Sequence, residues 1–302
     1  MKPKETLRNI LRVPAINHAV RRVGKIFIPG QRGRDFVRKL PLVDNFDIAL
    51  PNGRVIHWSP QKDGCSKFLK YHGWDGYETQ SVRLFAELAR HAEVVFDVGA
   101  YVGYFAFLAA ASGEHVQAYA FEAMPELAAH SRKIAALNPH LNVQIINAAV
   151  AEKSGHLTMY VDDPWTSDTS ASPAHRPNRR PVTVQAVALD DFMRNNGIGR
   201  VDLLKIDTET TEAAVLRGMQ AALVRHRPYI IAEVLPESEP RLLADFQAKN
   251  GYACAWIHPT GLLPAPNPVP DPTLANMNWL FYPSELPGPM GEVVRRHLGD
   301  PA

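Results

Sequence analysis

The stretch VVFDVGAYVGYFAFLAAASG, from Val94 to Gly113, decides the fold. It is an apolar run that predicts a buried strand, then a turn with two glycines, then an alanine-rich run that predicts a helix. A dinucleotide site needs G-x-G-x-x-G, because its second glycine lets the backbone approach a pyrophosphate. Tyr101 takes that position here. The turn therefore favours a nucleoside ligand without phosphates, such as S-adenosylmethionine.

Strand-like and helical segments alternate from Val94 to the end of the chain. This alternation predicts an α/β fold, in which a largely parallel sheet is wrapped by helices. The helical patterns include Pro125–Leu137 and Thr211–Arg225. The strand-like runs are Val94–Val98, Gln117–Phe121, Val143–Asn147, Val201–Ile206, Tyr229–Val234, Ala253–Ile257 and a final NWLFYP, with an extra pair at Leu157–Val161 and Val182–Ala188.

The chain is predicted to have three parts. Residues 1–40 form a basic arm with two short helices around Pro14, and residues 41–92 form a hairpin at Asn52-Gly53 followed by a helix from Glu78 to Arg90. Residues 93–302 form the α/β domain. Two irregular segments, 162–181 and 258–276, interrupt it and have the composition of lid loops.

Charge and cysteine content restrict the class of protein. The 302 residues carry a net charge of +2, but residues 1–40 have eleven basic and two acidic side chains, so this arm is +9 and the remainder is −7. The two cysteines, Cys65 and Cys254, have neither disulfide-framework nor zinc-site spacing. No apolar run is long enough to span a bilayer. These features predict a cytoplasmic protein whose arm either packs as a helix on the body or contacts a membrane surface or an anionic substrate.

Polar residues are expected to gather at the carboxyl ends of the strands, where open α/β sheets bind their ligands. Glu122 ends the second strand, 23 positions after Gly99, where an acidic side chain can accept hydrogen bonds from ribose hydroxyls. The others are Asp97, Gly99 and Gly103 around the first turn, Asn147 after the third strand, Asp207 and Glu209 after the fourth, and Glu233 at the end of the fifth.

Four blocks of sequence resemble the FkbM-type methyltransferases. They are FDVGAYVGYFAF, YAFEAMPE, NAAVAEKSGHLTMYV and VALDDFMRNNGIGRVDLLKIDTETTEAAVLRGM, and they follow the family's order. The resemblance implies a class I, Rossmann-like methyltransferase fold with a seven-stranded sheet whose last strand is antiparallel. It also implies S-adenosylmethionine as cofactor and methylation of a hydroxyl on a sugar, polyketide or other secondary metabolite.

The resemblance also implies roles for individual residues. Glu122 would bind the ribose, and Asp207 and Glu209 would face the transferred methyl group. Thr210 stands where the family often has glycine, which can alter how the following helix starts. The remaining positions would surround the methionine part and the adenine: Asp97, Gly99, Ala100, Tyr101 and Gly103 for the first, and Ala123, Asn147 and Ala148 for the second.

Methyl transfer to an alcohol needs a base or a metal ion, because the hydroxyl loses its proton as it attacks. Glu209 is the predicted base, Asp207 is predicted to lie near the methyl donor or to orient the acceptor, and Glu233 is the next candidate for either role. Two of these carboxylates could instead hold a divalent ion such as Mg²⁺. Glu78 and nearby tyrosines are predicted to form a wall near the sulfonium.

Two other functions are compatible with parts of the sequence. A nicotinamide-dependent oxidoreductase is disfavoured by Tyr101 at the pyrophosphate position. A nucleic-acid methyltransferase could use the basic arm, but the sequence after the fourth strand reads IDTET where base-methylating enzymes usually carry [N/D]PP[Y/F]. The arm also has few aromatic residues for stacking on bases. A small-molecule or glycan acceptor is therefore the preferred partner, and nucleic acid is disfavoured.

Overall fold

The computed structural model describes residues 10–27, 36, 39–161, 163, 165 and 180–299, except for the side chains of residues 24–27. The chain divides into two compact units, residues 1–77 and residues 78–302. The first unit contains α1 (Pro14–Phe27), β1 (Phe46–Ala49), β2 (Val55–Trp58) and α2 (Cys65–His72). The domain boundaries predicted at residues 40 and 92 remain predictions.

The second unit contains the helices α3 (Thr79–Ala89), α4 (Tyr104–Ser112), α5 (Pro125–Leu137), α6 (Leu189–Asn196), α7 (Glu212–Arg217), α8 (Gln220–His226), α9 (Pro240–Asn250) and α10 (Gly288–Leu298). Its strands are β3 (Val94–Val98), β4 (Gln117–Phe121), β5 (Val143–Ile146), β6 (Ala149–Val150), β7 (Gly155–Val161), β8 (Arg180–Val187), β9 (Leu203–Ile206), β10 (Tyr229–Glu233), β11 (Tyr252–His258), β12 (Gly261–Ala265) and β13 (Asn278–Pro283).

An eight-stranded sheet forms the centre of this unit, in the order β12-β11-β13-β10-β9-β3-β4-β5. Strands β10, β9, β3, β4 and β5 are parallel, and β13 lies antiparallel between β10 and β11. These parallel strands are mainly apolar, as expected for a sheet whose two faces are covered by helices. The predicted α/β class and the antiparallel last strand are confirmed.

The sheet has eight strands instead of the expected seven. The additional strand, β12, lies inside the segment 258–276 that was predicted to be an irregular loop, and it pairs antiparallel with β11. Pro264 lies opposite Ala255 in this pair. Proline is tolerated there because β12 is an edge strand, which leaves one side of its backbone unpaired.

One helix prediction was wrong in detail. The predicted helix from Thr211 to Arg225 is two helices, α7 and α8, with a break at Gly218. A Cβ atom at Gly218 would overlap the carbonyl oxygen of Ala151, so the chain approaches another segment closely at the break. In the described part of the arm, Ile10 is helical, residues 11–13 are not, and α1 begins at Pro14, so the predicted interruption at Pro14 is observed.

Two smaller sheets accompany the central one. In the first unit, β1 and β2 form the antiparallel hairpin predicted around Asn52-Gly53. In the second, β7 and β8 pair antiparallel, as predicted for the extra pair, and β6 joins β8 in parallel. None of the helices in the described part of the chain combines the length and the hydropathy that a bilayer-spanning segment needs.

Candidate active site

The turn between β3 and α4 is built around two glycines with positive φ. Gly99 has φ +77°, and a Cβ atom there would overlap the carbonyl oxygen of Asp207 at the end of β9. The amides of Gly99 and Ala100 both donate to the carbonyl of Phe121, at 3.0 and 2.9 Å. Gly103 has φ +82° and precedes the first residue of α4. The turn therefore links the ends of three neighbouring strands, and glycine is required at its first position.

Asp97 lies within β3 and is 2% exposed. Its Oδ2 accepts a hydrogen bond from the amide of Ala106, 3.0 Å away in the first turn of α4. Burial raises the pKa of Asp97 to about 7, although the charge of Lys205 and the Ala106 amide oppose the rise. The carboxylate thus caps the helix that follows the glycine turn.

Glu122 follows β4 and is held on both carboxylate oxygens. Oε2 accepts from the amide of Tyr101 at 2.8 Å, and Oε1 accepts from the amide of Met124 at 2.7 Å. Burial raises its pKa to about 7, while these two amides oppose the rise. A carboxylate offers about four lone-pair sites, so it retains capacity for ribose hydroxyls.

Tyr101 has φ +52°, a left-handed conformation that is uncommon for a residue other than glycine. Its hydroxyl donates to the carbonyl of Trp165 at 2.7 Å, and the Trp165 ring packs edge-on against His130. The only described residues of the predicted lid 162–181 are 163, 165, 180 and 181. Tyr101, which stands where a dinucleotide fingerprint has its second glycine, is therefore hydrogen-bonded to Trp165 near the start of that segment.

The residues predicted to surround the adenine lie close to the backbone that follows β4. The side-chain amide of Asn147 donates to the carbonyls of Glu122 and Ala123, at 2.9 and 3.0 Å. Ala123 and Ala148 are 9% and 4% exposed. Asn147 thus fixes the backbone that follows β4.

Three carboxylates meet at the ends of β9 and β10. Oxygens of Asp207, Glu209 and Glu233 all lie within 4.8 Å of one another, and among the described residues they form a group that could hold a metal ion. Glu233 is 6% exposed, and burial together with repulsion from Asp207 and Glu209 holds its pKa well above the ordinary range. Burial therefore favours the protonated form of Glu233.

Lys205, in β9, was missed as a site residue by the sequence analysis. Its side chain is 1% exposed, and Nζ lies 3.0 Å from Asp207 Oδ2, 3.9 Å from Glu78 Oε2 and 5.3 Å from the centre of the Phe105 ring. Burial alone lowers its pKa, but the charges of Asp207 and Glu78 and the hydrogen bond to Asp207 oppose burial, and the pKa is raised. A lysine within an apolar strand needs a buried partner, and that was the available signal.

Asn278 connects Glu78 to this cluster. Its side-chain amide donates to Glu78 Oε2 at 2.9 Å, and it lies opposite Glu233 in the pairing of β13 with β10. Glu78 itself precedes α3 with φ +43°. The structure thus brings the predicted Glu78 to the carboxylate cluster through Lys205 and Asn278.

The turn between β9 and α7 is closed by Glu212. Its Oε1 accepts from the amide and hydroxyl of Thr208 and from the amide of Thr210, at 3.1, 3.0 and 3.2 Å. Glu209 and Thr210 have φ of +53° and +88°. Glu212 is fully buried, so its role is to hold this turn.

These observations define the class of protein. A glycine turn followed by an acidic residue at the end of the next strand fits a nucleoside ligand, and the carboxylate cluster beside it provides groups for acid–base chemistry. Together with the strand order, they define an enzyme of the S-adenosylmethionine-dependent methyltransferase class.

Comparison with known families agrees. Residues 97–254, just over half of the chain, match the sequence model described as the Methyltransferase FkbM domain. The chain therefore belongs to the FkbM methyltransferase family, and the predicted resemblance is confirmed. This assignment removes the oxidoreductase alternative.

Individual relatives are distant. The 31-O-demethyl-FK506 methyltransferase FkbM of Streptomyces tacrolimicus is 28% identical over 217 residues, which are 62% of this chain and 80% of the relative. The crystal structure of methyltransferase FkbM from Methylobacillus flagellatus KT has 15% identity and a TM-score of 0.44, over 63% of this chain and 44% of that one, so this chain spans less than half of its length. The O-methyltransferase of Bacillus cereus in complex with SAH has 14% identity and a TM-score of 0.42, over 67% and 79%.

Proposed function

We propose that this protein transfers the methyl group of S-adenosylmethionine to a hydroxyl oxygen of a small molecule or glycan. The observation that carries the proposal is the convergence of Asp207, Glu209 and Glu233 within 4.8 Å at the strand ends, beside the glycine turn. An alcohol is a weak nucleophile while it keeps its proton, so a base within reach of the acceptor oxygen accelerates the transfer.

The proposed cofactor site uses the residues that surround the first turn. Glu122 would accept hydrogen bonds from the ribose hydroxyls, and Asn147 and Ala148 would lie beside the adenine. The backbone at Gly99 and Gly103 leaves room close to the ligand, where side chains would obstruct it. When bound, S-adenosylmethionine supplies a methyl carbon that is activated by a positively charged sulfur.

Glu209 is the proposed base. It is partly exposed, whereas Glu233 is buried with a raised pKa and so keeps its proton. The Lys205 ammonium donates a hydrogen bond to Asp207 at 3.0 Å. This bond fixes the Asp207 carboxylate, which would orient the acceptor. Glu209 would accept the proton that the acceptor hydroxyl loses as its oxygen attacks, and bound S-adenosylmethionine would supply the methyl group with its sulfur as the leaving group.

The Streptomyces tacrolimicus relative supports oxygen as the acceptor atom, because its name gives an O-demethylated compound as the substrate. The same three carboxylates also favour a second version of the chemistry. Hard oxygen ligands suit Mg²⁺, and a bound ion would lower the pKa of an acceptor hydroxyl in place of a protein base. Activity that survives EDTA would exclude this version.

Glu209→Gln tests the proposal, with Glu237→Gln as a matched control. Glu237 is exposed and lies in the loop after β10. Transfer of labelled methyl from S-adenosylmethionine to a panel of hydroxylated sugars and macrolides should fall by about 100-fold or more in the Glu209 variant, with unchanged S-adenosylhomocysteine affinity. Equal turnover in the two variants would rule out Glu209 as the base.

A further inference from the structure

Helix α1 of the first unit has one face packed on its own unit. Asn17 is fully buried, and its side-chain amide donates to the carbonyls of Leu11 and Pro41, at 2.6 and 3.0 Å. Arg21, one turn later, donates through Nη2 to the Pro41 carbonyl at 2.7 Å. These bonds fix which side of α1 faces inward and therefore which side faces outward.

The outward side carries exposed aliphatic residues. Ile16 and Val23 are 39% and 53% exposed, and they lie seven positions apart, so they share one side of the helix. Ile10 and Val13, directly before the helix, are 45% and 47% exposed. Exposed apolar side chains that cluster in this way are typical of an interaction surface.

The charge of the helix has one sign. The sequence of α1 contains Arg21, Arg22 and Lys25 and no acidic residue. Arg22 is exposed and adjoins Val23. Residues 1–40 as a whole carry +9, whereas the rest of the chain carries −7. A partner for this surface must therefore be anionic and must also accept aliphatic side chains.

We propose that α1 binds the surface of a lipid bilayer that contains anionic lipids. An interfacial helix of this kind lies in the plane of the membrane, with aliphatic side chains among the acyl chains and cations at the headgroups. Negative headgroups attract nearby Lys and Arg side chains, which matches the charge of α1. Nucleic acid would match the charge, but its phosphate backbone would not bury the aliphatic side chains of Ile16 and Val23. Binding at α1 does not use the active site, so it stands or falls independently of the proposed reaction.

The experiment measures cosedimentation of the full-length protein with large vesicles at about 0.1 M salt. One set is phosphatidylcholine alone, and the other contains about a third phosphatidylserine. Arg22→Glu changes the local charge by two, and at about fivefold per charge it should weaken binding about 25-fold. Val23→Ser should weaken it about tenfold, because an aliphatic side chain no longer leaves water.

Matched controls lie on α8 of the other unit. Arg225 and Val224 are both exposed there, and Arg225→Glu and Val224→Ser make the same chemical changes. We expect wild-type protein and both controls to sediment equally with the anionic vesicles and not with phosphatidylcholine. The proposal is overturned if wild type binds neither vesicle, or if the control variants weaken binding as much as the α1 variants. It is also overturned if a DNA duplex displaces the vesicles while Val23→Ser binds them normally.

Discussion

Replacing Lys205 by methionine removes the one positive charge among the carboxylates that the structure describes around the candidate active site. Methionine preserves most of the side-chain volume, so packing of the stem is largely kept. Asp207 Oδ2 at 3.0 Å and Glu78 Oε2 at 3.9 Å lose their counter-charge, and the Lys205 side chain is only 1% exposed, so water cannot replace the ammonium. The substitution therefore isolates the electrostatic contribution of this lysine.

The magnitude follows from these distances. At an effective dielectric constant of about 20, two unit charges about 4 Å apart attract by roughly 4 kcal/mol. The desolvation of Lys205 itself offsets part of this attraction, and the side chains of Asp207 and Glu78, which are 25% and 22% exposed, remain partly buried after the substitution. Removing one partner of a buried ion pair costs about 3–5 kcal/mol. We expect a loss of that size, which is about one third of the usual 5–15 kcal/mol stability.

Urea unfolding followed by circular dichroism measures this loss. Lys249→Met, an exposed lysine near the end of α9, is the matched control and should change stability by less than about 0.5 kcal/mol. The double variant Lys205→Met/Asp207→Asn should recover part of the loss, because one uncompensated charge is gone. If Lys205→Met unfolds within about 1 kcal/mol of wild type, the ammonium does not hold the cluster and the reasoning is refuted.

Three further predictions concern the turns and Glu122. Gly99→Ala should lose more stability than Gly197→Ala in thermal unfolding, because both positions have positive φ but only a Cβ at Gly99 meets backbone; equal losses would contradict the predicted overlap. Thr210→Gly should be more stable than Thr210→Ala by about 1 kcal/mol, because φ of +88° disfavours alanine, and the opposite order would show that this turn relaxes. Burial raises the pKa of Glu122 from 4.5 to about 7, so between these pH values the carboxyl stays protonated in the folded state and is ionised in the unfolded state. The free energy of unfolding of wild type should therefore fall, relative to that of Glu122→Gln, as the pH rises from about 4.5 to about 7. Parallel curves of unfolding free energy against pH for the two proteins would contradict this.

The strands nearest the site were predictable because their sequences leave little choice. The bounds predicted for β3, β4, α5 and β13 are those observed. Each of these strands is a continuous apolar run bounded by polar or turn-forming residues, which indicates a buried strand. The carboxyl ends of the strands then place Glu122, Asp207, Glu209 and Glu233 along the same side of the sheet. The order of these segments along the chain was therefore sufficient to predict that these acidic residues follow neighbouring strands.

The missed features depend on contacts between segments that are distant in sequence. The break at Gly218 reflects the close carbonyl of Ala151, which no local pattern in the predicted helix reveals. Strand β12 forms because its backbone can pair with β11, although the prolines of the segment 258–276 suggested a loop. The nearest partner of Lys205 is Asp207, two positions later, but its contact with Glu78 joins it to a residue more than one hundred positions earlier in the chain. Propensity and periodicity describe neighbours in sequence, so these three could not be derived from them.

The central claim is that the glycine turn and Glu122 form a site for a nucleoside without phosphates. The most direct test is calorimetric titration of the full-length protein with S-adenosylhomocysteine and, separately, with NADH. We predict that S-adenosylhomocysteine binds at a single site, that Glu122→Ala weakens this binding by about tenfold or more, and that NADH gives no binding heat. Binding of NADH without binding of S-adenosylhomocysteine would contradict the account.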